Sequence, residues 1–485
     1  MNSFLYGFSA TSLQEFIFRT NVLQEIIGAS EIIKRIDNLG KDLRDFFAKN
    51  GISLNKNPEV ILSSAGNLRA IFDNEVDLQK VVLHLPKLIA LESYGLGIAQ
   101  AVVKYDGDYK NAISLLESKL KIARNKLDFP LDFSFCILKH NPKTALPMSL
   151  EKTDKSTLQK LQAFEKFKKA HPNSINELAK LKNAKNKIAL IYADGNALGN
   201  IVRTLNKDEM KSFSTALDKA TKEAFAKSIA QVKDKYGEIK IREVICGGDD
   251  LVVVCNADIA LYFANAFLWH FENQNIHSNN LTSCAGIVFF NHKYPIHYAL
   301  KLAKDLCKES KTHSKKLNPA NPPSSLMFHN IQSSAVQSFS AFIEDELSLG
   351  NNPTNKENIT RLDFGAYFLH KQNETIPTIE HLLNLVQIFR DKNAPTSRLR
   401  QWLSMLDLNK NLAHNELKRI AKIYENFAKK HNNALKNLHK DLSLQKLIVK
   451  KDGFNKTPIY DILSLISNTA QISKKGDLDE QCYPL

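Results

Sequence analysis

The chain has no CxxC pair. Its six cysteines (Cys136, Cys246, Cys255, Cys284, Cys307 and Cys482) lie scattered. That spacing excludes a disulfide framework and a structural zinc site, and a reducing, cytoplasmic setting is expected. No apolar run approaches the roughly 18 residues that a membrane span needs. The opening stretch "MNSFLYGFSATSLQEF" has no basic leader and no small-residue cleavage site, so no signal peptide is expected. GxxxxGK[ST], HExxH, GxSxG and the zinc-deaminase pattern are all missing, and "GLGIAQ" at 95–100 lacks the third glycine of a dinucleotide fingerprint. The fourteen histidines show no ligand spacing and read as core or surface residues. These absences remove P-loop NTPases, zinc and serine hydrolases, dinucleotide enzymes and membrane proteins.

What remains is a soluble globular composition, 43% hydrophobic and 24% charged, over 485 residues, enough for two to four domains. The formal charge of +15 suits nucleic acid, nucleotide polyphosphate or an anionic surface as partner. It equally suits a lysine-rich solvated surface, since the lysines are spread over 152–187, 301–316 and the last hundred residues.

Hydrophobic periodicity divides the chain. Residues 1–148 open with the apolar run "FLYGFSA", then a helical pattern, "SLQEFIFRTNVLQEIIGASEIIKRI". A hairpin "VILSSAGNLRAIF", a helix near 76–91, a strand "GLGIAQAVVKY", a further helix and a strand "LDFSFCILK" complete βαββαβ plus one strand. Residues 149–183 read as a lysine-rich helical connector. Residues 184–330 repeat the order: strand "KIALIYAD", helix 197–232, hairpin "IKIREVICGGDDLVVVC", helix "DIALYFANAFLWHFENQ", strand "LTSCAGIVFF" and helix "PIHYALKLAKDLCKESK". "LNPANPPSSLMF" marks a boundary, and 331–485 reads as a helical domain. The expected class is α+β, two ferredoxin-like (GGDEF-like) palm domains followed by helices.

The hairpin carries the chemistry. Gly247-Gly248 supplies the turn, and Gly-Gly-Asp is good turn chemistry in any sheet. Asp249 and Asp250, however, are poor strand formers that repel each other. A βαββ unit brings them beside Asp194 at the end of "IALIYAD", and three carboxylates at one sheet edge suit two divalent cations, Mg²⁺ or Mn²⁺. "DGNALGN" places Gly195, Asn196 and Gly199 where strand passes into helix, to receive a triphosphate, or else leaves Asp194 as an ordinary helix cap. Lys308, Lys311 and Lys315 offer counter-charge to phosphate, or form a solvated helix face.

"SLQEFIFRTNVLQEIIGASEII", "YADGN", "CGGDDLVVV" and "CAGIVFF…YPIHYALKLAKDLCKESK", taken in order, resemble the large subunit of type III CRISPR effector complexes over most of 1–330. The resemblance implies two packed palms, the second converting ATP into cyclic oligoadenylates that switch on antiviral effectors. Asp194, Asp249 and Asp250 match the family's metal aspartates. In the first palm Ala65-Gly66-Asn67-Leu68 stands where GGDD would be, implying a catalytically dead domain that holds a nucleotide through Ser63, Ser64 and Gly66. No His-Asp dipeptide is present, so the family's nuclease domain is missing, as is its zinc cluster, and a reduced or stand-alone homologue is expected. Diguanylate cyclases are similar too, but they carry Glu-Phe after the hairpin Asp, and the stretch matching their RxxD site is Arg242-Glu-Val-Ile.

The expected function is thus a pyrophosphate-releasing nucleotidyltransferase-cyclase acting on ATP or another NTP. RNA, CRISPR-type subunits and a downstream effector are its expected partners, and no membrane is involved. The alternatives are a catalytically silent nucleotide- or RNA-binding scaffold and a templated palm polymerase. A scaffold gains nothing from three repelling carboxylates, and nothing between the palms reads as fingers with a template channel.

Overall fold

The computed structural model describes residues 3–126, 138–149, 153–276, 279–332, 338–349 and 359–471. Its first part runs β1 (Ser3–Thr11), α1 (Leu13–Phe18), α2 (Leu23–Asn38), α3 (Leu43–Lys49), β2 (Glu59–Ser64), β3 (Asn67–Phe72), α4 (Glu75–Glu92), β4 (Gly97–Tyr105) and α5 (Tyr109–Arg124). The strands form an antiparallel sheet in the order β2-β3-β1-β4, the ferredoxin-like order in which the first strand lies between the third and fourth. The strand expected at "LDFSFCILK" lies almost wholly outside the described residues.

The lysine-rich connector forms α6 (Lys155–Ala170) and α7 (Leu178–Leu181). Helix α6 packs on α2 at Gly28, where a Cβ would fall 1.8 Å from the Lys160 carbonyl oxygen. Lys160 itself is buried and donates from Nζ to the Phe16 carbonyl at 2.6 Å, so this lysine is part of the packing rather than of a solvated face.

The second part comprises β5 (Lys187–Gly195), α8 (Leu198–Val202), α9 (Lys207–Tyr236), β6 (Ile241–Gly247), β7 (Asp250–Asn256), α10 (Ala260–Glu272), the short ladder β8 (Asn275–Ile276) with β9 (Asn279–Asn280), β10 (Ser283–Asn291), α11 (Ile296–Leu317) and β11 (Ser325–Asn330). Helix α9 begins with a capping box, the Asn206 side chain taking the Glu209 N–H and Glu209 taking the Asn206 N–H. Strands β10-β5-β7-β6 repeat the ferredoxin-like order, and β11 adds in parallel to β10. Strand β5 is an unbroken apolar run because both of its faces are covered. Ile188 and Leu190 point to one core, Ala189 and Ile191 to another.

Beyond residue 331 come α12 (Phe339–Asp345), β12 (Ser348–Leu349), β13 (Thr360–Arg361), β14 (Tyr367–Phe368), α13 (Ile379–Phe389), α14 (Thr396–Leu408), α15 (Lys410–Ile423), α16 (Glu425–Leu438), β15 (Val449–Lys451), β16 (Phe454–Lys456) and α17 (Ile459–Asn468). Helices dominate, as the sequence suggests. Strand β14 nevertheless extends the second palm sheet, and β12-β13-β16-β15 make a small sheet of their own. At two or three residues each, these strands are too short to show the alternation by which a strand is read.

Two cores tie the parts together. One joins the first palm (Tyr6, Phe8, Leu85) to the α11 side of the second (Leu190, Val252, Leu306). The other joins the α9–α10 side to the C-terminal helices through Leu385, Trp402 and Ile420. The palms correspond element by element. Each has a helix on the opposite face of its sheet, α5 over Gly7 and α11 over Gly286, where a Cβ would fall 2.9 Å from Leu116 and 1.9 Å from the Ala303 carbonyl oxygen. They also meet reciprocally, α2 against β6 and α9 against β2, as two-fold-related units do.

Candidate active site at the palm–palm interface

The hairpin closes at the pair Gly247↔Asp250, so its turn residues are Gly248 and Asp249 rather than the two glycines. Gly248 has φ 60, the left-handed value that the first central position of a type II′ turn requires. Its carbonyl accepts from Thr221 Oγ1 at 2.5 Å and its N–H donates to Asp218 Oδ1 at 3.3 Å, so α9 holds the turn from behind.

The β5–β7 register, ending at Ala193↔Leu251, brings Asp194 level with Asp250. Asp194, Asp249 and Asp250 thus come together, half-buried, at one sheet edge. A Cβ at Gly195 would fall 3.1 Å from the Asp249 Cβ and 2.4 Å from Leu198 Cδ1, so the glycine leaves room for the carboxylate. Burial, first, and then the charges of Asp250 and Asp194 push the Asp249 carboxyl up to about 7. Burial, followed by Asp194, raises Asp250 too. Tyr192 donates to Asp250 Oδ1 at 2.9 Å. Lys311 pairs with Asp194 Oδ2 at 2.5 Å and donates to the Gly195 carbonyl at 2.7 Å. Lys304 lies over the Tyr192 ring, 5.8 Å from its centroid.

Other expected residues are placed differently. Asn196 is buried and donates to Thr282 Oγ1 at 3.2 Å and the Pro322 carbonyl at 3.3 Å, bracing β10 and the strand after it. Gly199 lies in α8, a helix of five residues whose cap is Ala197 at φ 56, so Asp194 is not a capping residue. Lys308 and Lys315 are exposed on α11. Ser63 and Ser64 line an interface cleft, whereas the Gly66 N–H is taken by Asp37 Oδ1 at 2.7 Å.

Two clefts flank the hairpins. One, of about 440 Å³, is lined by Asp250, Gly247 and Lys304 of the second palm with Gln14, Ser30 and Lys34 of the first. The other, of about 850 Å³, is lined by Ser63, Ser64 and Asp37 with Thr215, Asp218 and Lys222. They exchange under the pseudo-two-fold, each combining one palm's hairpin with the other's first helix.

The same correspondence corrects the alignment of the first palm. Its hairpin closes at Ser64↔Asn67, so Ser64-Ala65-Gly66-Asn67, not Ala65 to Leu68, stands where Gly247 to Asp250 stand in the second. Ser9, level with Asn67, takes the place of Asp194. Ser9 Oγ donates to Asn67 Oδ1 at 2.8 Å and receives Arg124 of α5 at 3.1 Å, as Asp194 receives Lys311 of α11. All three carboxylates are replaced by neutral residues, and this palm has no anionic metal donors at that place.

Sequence reasoning missed Tyr192, Lys304, Asp37 and Asp218. Tyr192 stands two positions before Asp194, hence on the same strand face, and Lys304 stands two helical turns before Lys311. Both were legible from spacing. Asp37 and Asp218 carried no local signal.

Fold and site together define a tandem-palm protein with one acidic and one neutralised hairpin. Residues 187–318 match the family model described as "Cas10/Cmr2, second palm domain". The chain resembles the Cas10-like large subunit of type III CRISPR complexes. Its fold is similar to that of a chain of the Csm1-Csm4 cassette crystallised with pppApA, at 12% identity and a TM-score of 0.54, covering 97% of this chain and 70% of that one. The cassette with cA3 gives the same four values. Against the cassette with AMPPNP the identity is 13% and the TM-score 0.43, over 64% of this chain, which spans only about half (53%) of that one. No curated protein matches. No helix among the described residues is long and apolar enough to cross a membrane.

Proposed function

We propose that this chain is a metal-dependent nucleotidyltransferase that joins ribonucleoside triphosphates, ATP foremost, into a short cyclic oligonucleotide acting as an antiviral signal. The observation that carries this reading is the meeting of Asp194, Asp249 and Asp250 at one sheet edge, with Asp250 lining a cleft shared by both palms and a second cleft at the neutralised palm. The pppApA and cA3 named with the similar cassettes are a linear and a cyclic product of such chemistry. Cassette-type subunits, RNA as activator and an effector responding to the product are proposed on the same basis.

Among the described residues no group of three or more His, Cys, Asp or Glu side chains is already placed to hold a metal ion by itself. The set fits an open site, since magnesium is commonly held by one or two carboxylates with substrate phosphates completing its shell. All the donors are hard oxygens, and the raised Asp249 and Asp250 carboxyls record burial first and then the repulsion of neighbouring anions, which cations relieve. Two Mg²⁺ or Mn²⁺ ions held by Asp194, Asp249 and Asp250 would activate the attacking ribose hydroxyl and neutralise the triphosphate. The chain's own residues orient the reaction. Lys304 and Lys311 would face the phosphates, Tyr192 fixes Asp250, and Asp218 and Thr221 fix the turn. A hydroxyl of the nucleotide in the larger cleft attacks the α-phosphorus of the one at the carboxylates. The new O–P bond forms as the bond to pyrophosphate breaks, and the hydroxyl proton is released to water.

The test is product analysis by mass spectrometry with each NTP, singly and mixed, in Mg²⁺ or Mn²⁺, with and without RNA. Asp249→Ala/Asp250→Ala should lose product on the order of 10³-fold or more while folding normally. Equal turnover by that variant removes the site. The Lys311–Asp194 pair favours one alternative, a silent scaffold. It would bind NTP or RNA, with steep salt dependence, and turn over neither.

A further inference from the structure

The smaller cleft does not end at Asp250. A hollow of about 490 Å³ shares Gln14, Glu15 and Lys304 with it, and reaches on to Arg19, Lys143 and Lys301. A volume of this size accommodates a ligand as large as a nucleotide. Four cations line the hollow against a single carboxylate, Glu15, which lies 3.7 Å from Arg19. Lys143 and Lys301 are exposed and have no ion pair among the described residues. Phe18 and Leu300, both buried, give the hollow an apolar floor.

The hollow is the end of a longer feature. Lys301, Lys304, Lys308, Lys311 and Lys315 recur at intervals of three and four along α11, which places them on one face of the helix. From Lys301 to Lys315 the stripe runs fourteen residues at 1.5 Å each, about 21 Å. Lys311 stands at Asp194, and Lys304 stands where cleft and hollow join. A single triphosphate at the carboxylates needs Lys304 and Lys311. It leaves Lys143 and Lys301 without an anion, and Arg19 with Glu15 alone. A row of cations leading away from a bond-forming centre is suited to a chain of phosphates, since each one neutralised strengthens the grip on the whole.

We propose that this hollow holds the phosphates of the linear oligonucleotide intermediate beyond the nucleotide seated at Asp194, Asp249 and Asp250. The inference rests on the nucleotidyltransferase reading and adds to it a way of retaining the chain between successive bond-forming steps. Grip on the intermediate would then set how often the chain is released linear and how often it stays to close.

The experiment is calorimetric and uses the full chain in the Asp249→Ala/Asp250→Ala background, so that neither ligand is consumed. The probes are a synthetic 5′-triphosphorylated linear trinucleotide and the matching mononucleotide triphosphate. The trinucleotide is expected to bind about tenfold tighter or more, and Lys143→Glu/Lys301→Glu to erase that margin. The milder Lys143→Ala/Lys301→Ala guards against misfolding and should reduce it. A trinucleotide that binds no tighter than the mononucleotide, or a margin that survives both substitutions, overturns the proposal. So does a groove that holds long single-stranded RNA without triphosphate as tightly as the trinucleotide, per phosphate. Failure of the wild type to make product in any NTP mixture sinks the enzyme reading. The affinity margin stands or falls separately.

Discussion

Asp249 is a turn residue whose side chain shares its surroundings with two other carboxylates. Tyr192 is the group through which the strand beneath acts on this trio. Its hydroxyl donates to Asp250 at 2.9 Å, and burial, followed by the neighbouring anions, holds its own proton firmly in place. Tyr192→Phe removes the donor without changing the ring. We expect kcat/KM to fall by up to roughly tenfold, the worth of one such hydrogen bond, with unchanged melting. A loss of several hundredfold would mean that Tyr192 touches the reacting groups itself. Arg124 with Ser9 and Asn67 is the counterpart in the first palm. There Arg124 donates to Ser9 and lies 3.9 Å from Glu117, and Ser9 in turn donates to Asn67, so any nucleotide at that hairpin would be held without the three carboxylates.

Elements position these residues by close approach. Helix α6 can lie on α2 only because Gly28 has no side chain, the Lys160 carbonyl oxygen lying 1.8 Å from where a Cβ would be. The approach matters to the site because α2 carries Ser30, whose hydroxyl donates to the Val244 carbonyl at 2.5 Å, and Lys34, which pairs with Glu243 at 3.0 Å. Both contacts grip β6 of the acidic hairpin. Gly28→Ala should therefore separate the helices and cost about 1–3 kcal/mol. The melting temperature would drop by several degrees and nucleotide affinity would weaken with it. A variant that melts with the wild type would show that α6 does not brace α2.

At the scale of the whole molecule, the C-terminal helices are fastened to the second palm. Asp461 of α17 accepts from the hydroxyl of Tyr367, in the edge strand β14, at 2.6 Å. Burial holds the Asp461 carboxyl up at about 7, with Asp363 adding to the rise and Tyr367 opposing it. The unfolded chain releases this proton near 3.8. Stability from this group is therefore complete below that value and is lost as pH rises through about 7, by at most about 1.4 kcal/mol per pH unit within the window. Asp461→Asn keeps an acceptor for Tyr367 and cannot ionise. Its melting temperature relative to wild type should climb between pH 5 and pH 8. A constant difference across that range would show that Asp461 does not titrate there.

By itself the sequence determined the two palms and the sheet edge where three carboxylates meet. Period-two and buried-strand patterns, the Gly-Gly-Asp-Asp turn and an aspartate ending the preceding strand are local signals, written within a few residues by backbone sterics and side-chain alternation. The tertiary structure alone decided the rest. The hairpin registers moved the first palm's equivalent of GGDD by one residue, to Ser64–Asn67, because register is set by pairing across strands and not along them. The roles of Asp37, Asp218 and Arg124 and the joining of Lys143 to Lys301 depend on groups distant in the chain, brought together only by the packing of two palms. The small sheet of β12, β13, β15 and β16 was hidden for the same reason. Strands of two or three residues are held by their partners and write no period of their own.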